Sequence, residues 1–133
     1  MVRKEKQLSI FLENRPGGLA KVCGILAESG INIVALTVHD TVDHAIVRVL
    51  ADRPIKALLI MEQHGLYILE TDVVVMEVSN QAGVLAELSR TLAHADINID
   101  YAYCTSTERQ GVGCIVMKTE DVDKTVEILS GKT

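Results

Sequence analysis

The chain has 133 residues, room for one ordinary domain or two very small ones. With 48% apolar and 23% charged residues it has material for a core and is not a disordered chain. A net charge of −5 and only four aromatics, Phe11, Tyr67, Tyr101 and Tyr103, speak against nucleic-acid binding, which needs a basic footprint with stacking rings. The longest apolar runs, Ala57 to Met61 and Val73 to Met76, fall far short of the roughly 20 residues of a membrane span. No apolar segment follows Met1-Val-Arg-Lys-Glu-Lys, so no secretory signal is expected and the protein is read as cytoplasmic. Cys23, Cys104 and Cys114 make an odd count without CxxC spacing, which suits reduced thiols.

In chain order, Leu8–Leu12 reads as a short strand ending at Asn14-Arg15-Pro16-Gly17-Gly18. Leu19, Val22, Cys23 and Leu26 then recur at helical spacing until Gly30. Ile31–Val38 and Ala45–Leu50 read as a hairpin around the polar turn His39–His44. Pro54 opens a second helix with Ile55, Leu58 and Leu59 on one face, closing near Gly65, and Leu66–Glu70 reads as a fourth strand. After Thr71-Asp72 the order recurs: strand Val73–Val78, a helix marked by Leu85, Leu88 and Leu92, hairpin strands Ile97–Cys104 and Gly113–Lys118, and a helix marked by Val122, Val126 and Leu129.

The recurrence is literal. A shift of 66 residues lays Asn14–Ile33 on Asn80–Ile99 and matches Asn14/Asn80, Gly17/Gly83, Leu19/Leu85, Ala20/Ala86, Leu26/Leu92, Ala27/Ala93, Ile31/Ile97, Asn32/Asn98 and Ile33/Ile99. These are nine identities in twenty columns, where ordinary composition gives about one or two. The chain is a duplication. The pattern predicts an α+β fold of two tandem ferredoxin-like βαββαβ units, 1–71 and 72–133, packed together because each is marginal alone. The second ends at Ser130-Gly131-Lys132-Thr133, so its last strand is missing or vestigial. Unpaired strand edges invite pairing with another chain, or Val2–Gln7 extends the first strand across that gap; a homodimer is expected.

The loop before each first helix is the most informative place. Pro16 fixes the entry, Asn14 is available as a cap, and Gly17 and Gly18 leave backbone N–H groups open to an anion such as a carboxylate. Asn32 and Asn98, just after each helix, offer a donor and an acceptor to a zwitterion. A tight turn and local backbone bonds explain the same residues without a ligand.

Leu12-Glu-Asn-Arg-Pro-Gly-Gly-Leu-Ala-Lys-Val with Leu26-Ala-Glu-Ser-Gly-Ile-Asn-Ile resembles the signature of ACT domains. Val78-Ser-Asn-Gln-Ala-Gly-Val-Leu-Ala-Glu-Leu with Ala95-Asp-Ile-Asn-Ile is similar, so the resemblance covers nearly the whole chain. It implies side-by-side ACT units that bind an amino-acid effector where two units meet, between the first loop of one and the second strand of its neighbour. By position it nominates Asn14, Arg15, Gly17, Gly18, Leu19 and Asn32, and in the second copy Asn80, Gln81, Gly83, Val84, Leu85 and Asn98. Ala82 stands where the family's proline usually does and Gln81 replaces the basic Arg15, which sets the second site apart.

Other candidates are weaker. His39-Asp40-Thr41-Val42-Asp43-His44 could hold a divalent metal, but a polar turn is the ordinary reading. Cys104 and Cys114, on paired strands, read as buried, inert thiols. Gly111-Val112-Gly113 follows a hairpin turn and opens no helix, so it supports no nucleotide site. Tyr101 and Tyr103 are either core or pocket lining. No GxxxxGK, HExxH or GxSxG motif is present, so no catalytic residue, metal or cofactor is assigned. The expected function is an amino-acid-sensing regulatory protein and not an enzyme, with a metabolic enzyme as a possible partner. Leu12-Glu-Asn-Arg-Pro-Gly also resembles the small subunit of acetolactate synthase, so a permanent regulatory subunit is the alternative, and a small acylphosphatase-like enzyme using Arg15 is a third.

Overall fold

The computed structural model describes residues 1–79, 81–106 and 112–131. Its elements run β1 (Val2–Glu13), α1 (Gly18–Glu28), β2 (Ile33–Asp40), β3 (His44–Ala51), α2 (Pro54–Gln63), β4 (Tyr67–Ser79), α3 (Val84–His94), β5 (Ile99–Ser106), β6 (Val112–Thr119) and α4 (Val122–Ser130). The α+β fold with a repeated βαββαβ order is the one expected, and no strand follows α4 among the described residues. Two strands are longer than the apolar pattern indicated. The polar Val2–Gln7 continues β1, and Thr71-Asp72 is no break, because β4 runs through it.

Contacts divide the chain into two units, Lys6–Thr71 and Asp72–Thr133 joined by Met1–Glu5. In the first unit the strand order is β2-β3-β1-β4, with β1 and β2 each antiparallel to β3. Alternation along β1 sends Leu8, Ile10 and Leu12 to one face. That face meets Val22, Ile25 and Leu26 of α1, at helical spacing, and Ala57 and Met61 of α2. Both helices feed one apolar cluster and therefore lie on one face of the sheet. Each fully buried residue such as Leu26 contributes about 1.5–3 kcal/mol.

The second unit repeats this with the order β1-β4-β6-β5, where β6 is antiparallel to both β4 and β5. Val74, Met76, Ile115 and Met117 meet Leu88 and Leu92 of α3 and Leu129 of α4. The beginning of β1 supplies this unit's fourth strand. The Glu77 N–H donates to the Met1 carbonyl at 3.1 Å, Val2 packs on the core, and Lys4 Nζ meets Asp123 at 3.0 Å. The Asp123 carboxylate raises the Lys4 pKa, chiefly through that hydrogen bond. An exposed ion pair adds well under the contribution of one buried side chain, so the backbone bond and Val2 secure the strand.

Both first helices end by the same device. The N–H of Ile31 donates to Leu26 and that of Ile97 to Leu92, each at 2.9 Å, across a residue in the left-handed region. That residue is Gly30 (φ +68°) in one copy and Asp96 (φ +60°) in the other.

Candidate functional site

The first loop leaves β1 at Glu13 and enters α1 through Gly17, which stands at the N-cap with φ +94°. Nothing lies within 4 Å of where a Cβ on Gly17 would sit, so the glycine is there for its backbone angle and the space beside it is open. No side chain caps this helix, contrary to the expected role of Asn14. Asn14 faces the hairpin instead: its N–H donates to the Asp43 carbonyl (3.1 Å) and its Nδ2 to that of Thr41 (3.2 Å). A short turn, in which Arg15 N–H donates to Glu13 and Lys21 N–H to Gly17 at 3.0 Å, carries the chain into the helix.

Beside this helix start lies an open cavity of about 430 Å³. Arg15, Gly17, Gly18 and Lys21 line it on the loop side, and Phe11 and Leu66 on the strand side. The first turn of α1 carries no acid, so the positive helix end is unopposed, and the guanidinium of Arg15 and the ammonium of Lys21 stand next to it. Glu13 pairs with Arg15 at 3.2 Å, both largely in solvent, a weak contact that an incoming anion can displace. Lys21, Phe11 and Leu66 were not nominated from the sequence. Lys21 lies one helical turn beyond Gly17, and that spacing is the signal that could have found it.

The second loop repeats the backbone and changes the chemistry. Gly83 is again the N-cap at φ +91°, and Glu87 N–H donates to Gly83 as Lys21 N–H does to Gly17. Glu87 thus stands where Lys21 stands, an acid in the first turn that already answers the helix end. A small pocket of about 100 Å³ there is lined by Gln81, Val84 and Leu85 with Cys104, Thr105 and Cys114. Asn80 lies outside the described residues. Leu19 and Leu85 are exposed in both copies, 43% and 51%, an unusual place for leucine at a helix start.

Asn32 and Asn98 occupy the other end of their units, past the C-termini of α1 and α3. Their backbones make the same pattern: Asn32 N–H donates to the Asp52 carboxylate and its carbonyl accepts from Asp52 N–H, while Asn98 does both with Glu120. The Asn98 side chain donates to Asp100 at 3.0 Å. Within one unit, therefore, the nominated loop and the nominated Asn are not brought together.

The register pairs Cys104 with Ile115 and Thr105 with Cys114, so the two cysteines point to opposite faces. Neither is buried as expected: Cys104 is exposed and Cys114 half-buried. Burial first, and then Glu77 and Glu5 against the opposing Arg3, push the Cys114 thiol up, away from a reactive thiolate. Tyr101 and Tyr103 are half-buried opposite Lys118 and Val116, outside both the helix-side core and the loop pocket. Among the described residues no His, Cys, Asp and Glu group could hold a metal, and no helix is long and apolar enough to cross a membrane.

Comparison with known proteins agrees with the duplication. A crystal structure of a Bacteroides thetaiotaomicron protein is similar at 33% identity and a TM-score of 0.92, over 98% of this chain and 90% of that one. The regulatory subunit of aspartate kinase from Thermus thermophilus, in its ligand-free form, shares the fold at 18% identity and a TM-score of 0.68, over 98% and 95% of the two chains. The Thermus flavus regulatory subunit does so at 19% and 0.67, over 96% and 90%. Among curated proteins none matches. Residues 4–133 match the ACT domain pair, a regulatory domain type, and with its duplicated units the chain belongs to that family.

Proposed function

We propose that this protein is an amino-acid-binding regulatory protein without catalytic activity. The effector's carboxylate is bound at the first loop and its ammonium by second-strand groups around Asn98 or Asn32 of a neighbouring unit. The observation that carries the reading is the first loop cavity: an unopposed helix N-terminus with Arg15 and Lys21 beside it and open space at Gly17. The exposed Leu19 suits contact with the apolar part of a ligand or with that neighbour. The second loop carries Gln81 and Glu87 in place of Arg15 and Lys21, and is the weaker carboxylate site. The two ACT units are taken as 1–71 and 72–133, the second borrowing Met1–Glu5, and the working form as a cytoplasmic homodimer.

A regulatory subunit of an amino-acid-pathway enzyme is the second reading. It draws on the Thermus proteins, regulatory subunits of aspartate kinase that share the fold. An acylphosphatase-like site finds little support, because the Asn14 side chain is committed to the Thr41 carbonyl.

A thermal-shift screen of the twenty amino acids should find one that raises the unfolding temperature, since a ligand of the native state stabilises it. Arg15→Ala should then weaken that ligand by about 1 kcal/mol or more, roughly fivefold, in calorimetry. Asn98→Ala or Asn32→Ala should weaken it several-fold as well. Unchanged affinity in all three folded variants would place the ligand elsewhere.

A further inference from the structure

The duplication supplies an internal control for α2. Helices α2 and α4 share one register: Ala57 N–H donates to the Arg53 carbonyl and Thr125 N–H to that of Asp121, both at 3.0 Å. Ala57 and Met61 face inward in one, Thr125 and Leu129 in the other. On that register Ile55 and Leu59 of α2 stand where α4 has Asp123 and Glu127. Charges are what a solvated helix face carries, and α4 obeys. On α2, Ile55 is 71% and Leu59 54% exposed. With Pro54 and Ile60 they form a shallow, wide-open groove along α2 itself, and Arg53 and Lys56 form its cationic side. Both cations are held in place, Arg53 on the Gly30 carbonyl and Lys56 on that of Ser29.

The same unit carries a complementary projection. At the tip of the β2–β3 hairpin Val42 is 94% exposed, with the exposed carboxylates of Asp40 and Asp43 on either side. The turn is fixed: Thr41 N–H donates to the His44 carbonyl at 2.8 Å, His44 N–H to the Thr41 hydroxyl at 3.2 Å, and Asn14 ties down Asp43 and Thr41. An apolar side chain is thus held out in water by a pre-organised turn flanked with acids.

We propose that the Val42 hairpin tip of one copy docks in the α2 groove of a second copy. Val42 sits against Ile55 and Leu59, and Asp40 and Asp43 face Lys56 and Arg53. A two-fold axis that brings both contacts together closes the assembly as a dimer. The contact is confined to one hairpin tip and one helix face on each copy, so the association is weak and concentration-dependent.

Sedimentation velocity of the full chain, over a wide concentration range, at low salt and without amino acids, tests this. Wild type should pass from monomer to dimer. Leu59→Glu, which copies α4, and Val42→Ser should each raise the dissociation constant about tenfold or more. Lys56→Glu should weaken the dimer, and Asp43→Lys combined with it should restore most of the loss. All these positions are exposed, so circular dichroism should be unchanged; Ile55→Asp replaces Leu59→Glu should the latter fail to fold. A wild type that stays monomeric, or a dimer indifferent to Leu59→Glu and Val42→Ser, overturns the proposal. So does a dimer broken by Leu59→Glu and unmoved by Val42→Ser, which would put another surface in the groove. Effector binding is measured separately and is expected to survive in every variant.

Discussion

Asp96 carries an L side chain in the left-handed region, where the first copy has Gly30 at the matching position. That conformation costs a non-glycine residue on the order of 1 kcal/mol, less for Asp than for most. Asp96→Gly should therefore stabilise the protein by roughly 0.5–1 kcal/mol, read as a higher urea midpoint at unchanged slope. The 66-residue shift exposes such a position directly, by laying Gly30 on an aspartate. It does not reveal what Asn14 does: the cap reading was reasonable for an Asn before a helix, but Gly17 at φ +94° turns the chain so that Asn14 reaches Thr41 instead. Lys21 was missed because a lysine on an amphipathic helix resembles any solvated charge until the cavity beside it is seen.

Among elements, α4 is the helix whose N-cap side chain closes a bond: Asp121 Oδ1 accepts from Lys124 N–H at 3.0 Å, while α1, α2 and α3 have none. Asp121→Ala should cost about 1 kcal/mol in chemical denaturation, whereas Arg53→Ala has no cap bond to lose at α2. All four helices were legible from apolar residues at helical spacing, but in α2 the face named was the wrong one: Ile55 and Leu59 are exposed, and Ala57 and Met61 turn inward. The strands were legible where they are apolar, either alternating or as short runs such as Val73–Met76. Val2–Gln7 is largely charged, and its membership of β1 depends on partners more than seventy residues away, such as Glu77 for Met1. Pairing over such distances leaves no local trace.

For the molecule as a whole, that distant pairing makes a sharper prediction. Removing Met1–Glu5 should strip the Asp72–Thr133 unit of an edge strand, of Val2 from its core and of the Lys4–Asp123 pair. Hydrogen exchange should then rise in β4 beyond Asp72 and in β6, and stay nearly unchanged in β2 and β3 of the Lys6–Thr71 unit. Equal loosening of both units would show that the segment serves both alike. The expectation of either an uncovered edge or a β1 that reaches across was correctly framed from the sequence, and Val2–Glu5 takes the second course.

The shared strand also orders events in time. Lys6–Thr71 is one continuous stretch and can close while the ribosome is still adding residues. The other unit is assembled from residues that lie on both sides of that stretch, for Lys4 must wait for Asp123. Until then the start of β1 is a bare strand looking for an edge, and on a crowded polysome the nearest edge can belong to another nascent chain. Slow release of the C-terminal half therefore favours exchange of Met1–Glu5 between chains, a hazard that the self-contained unit does not share.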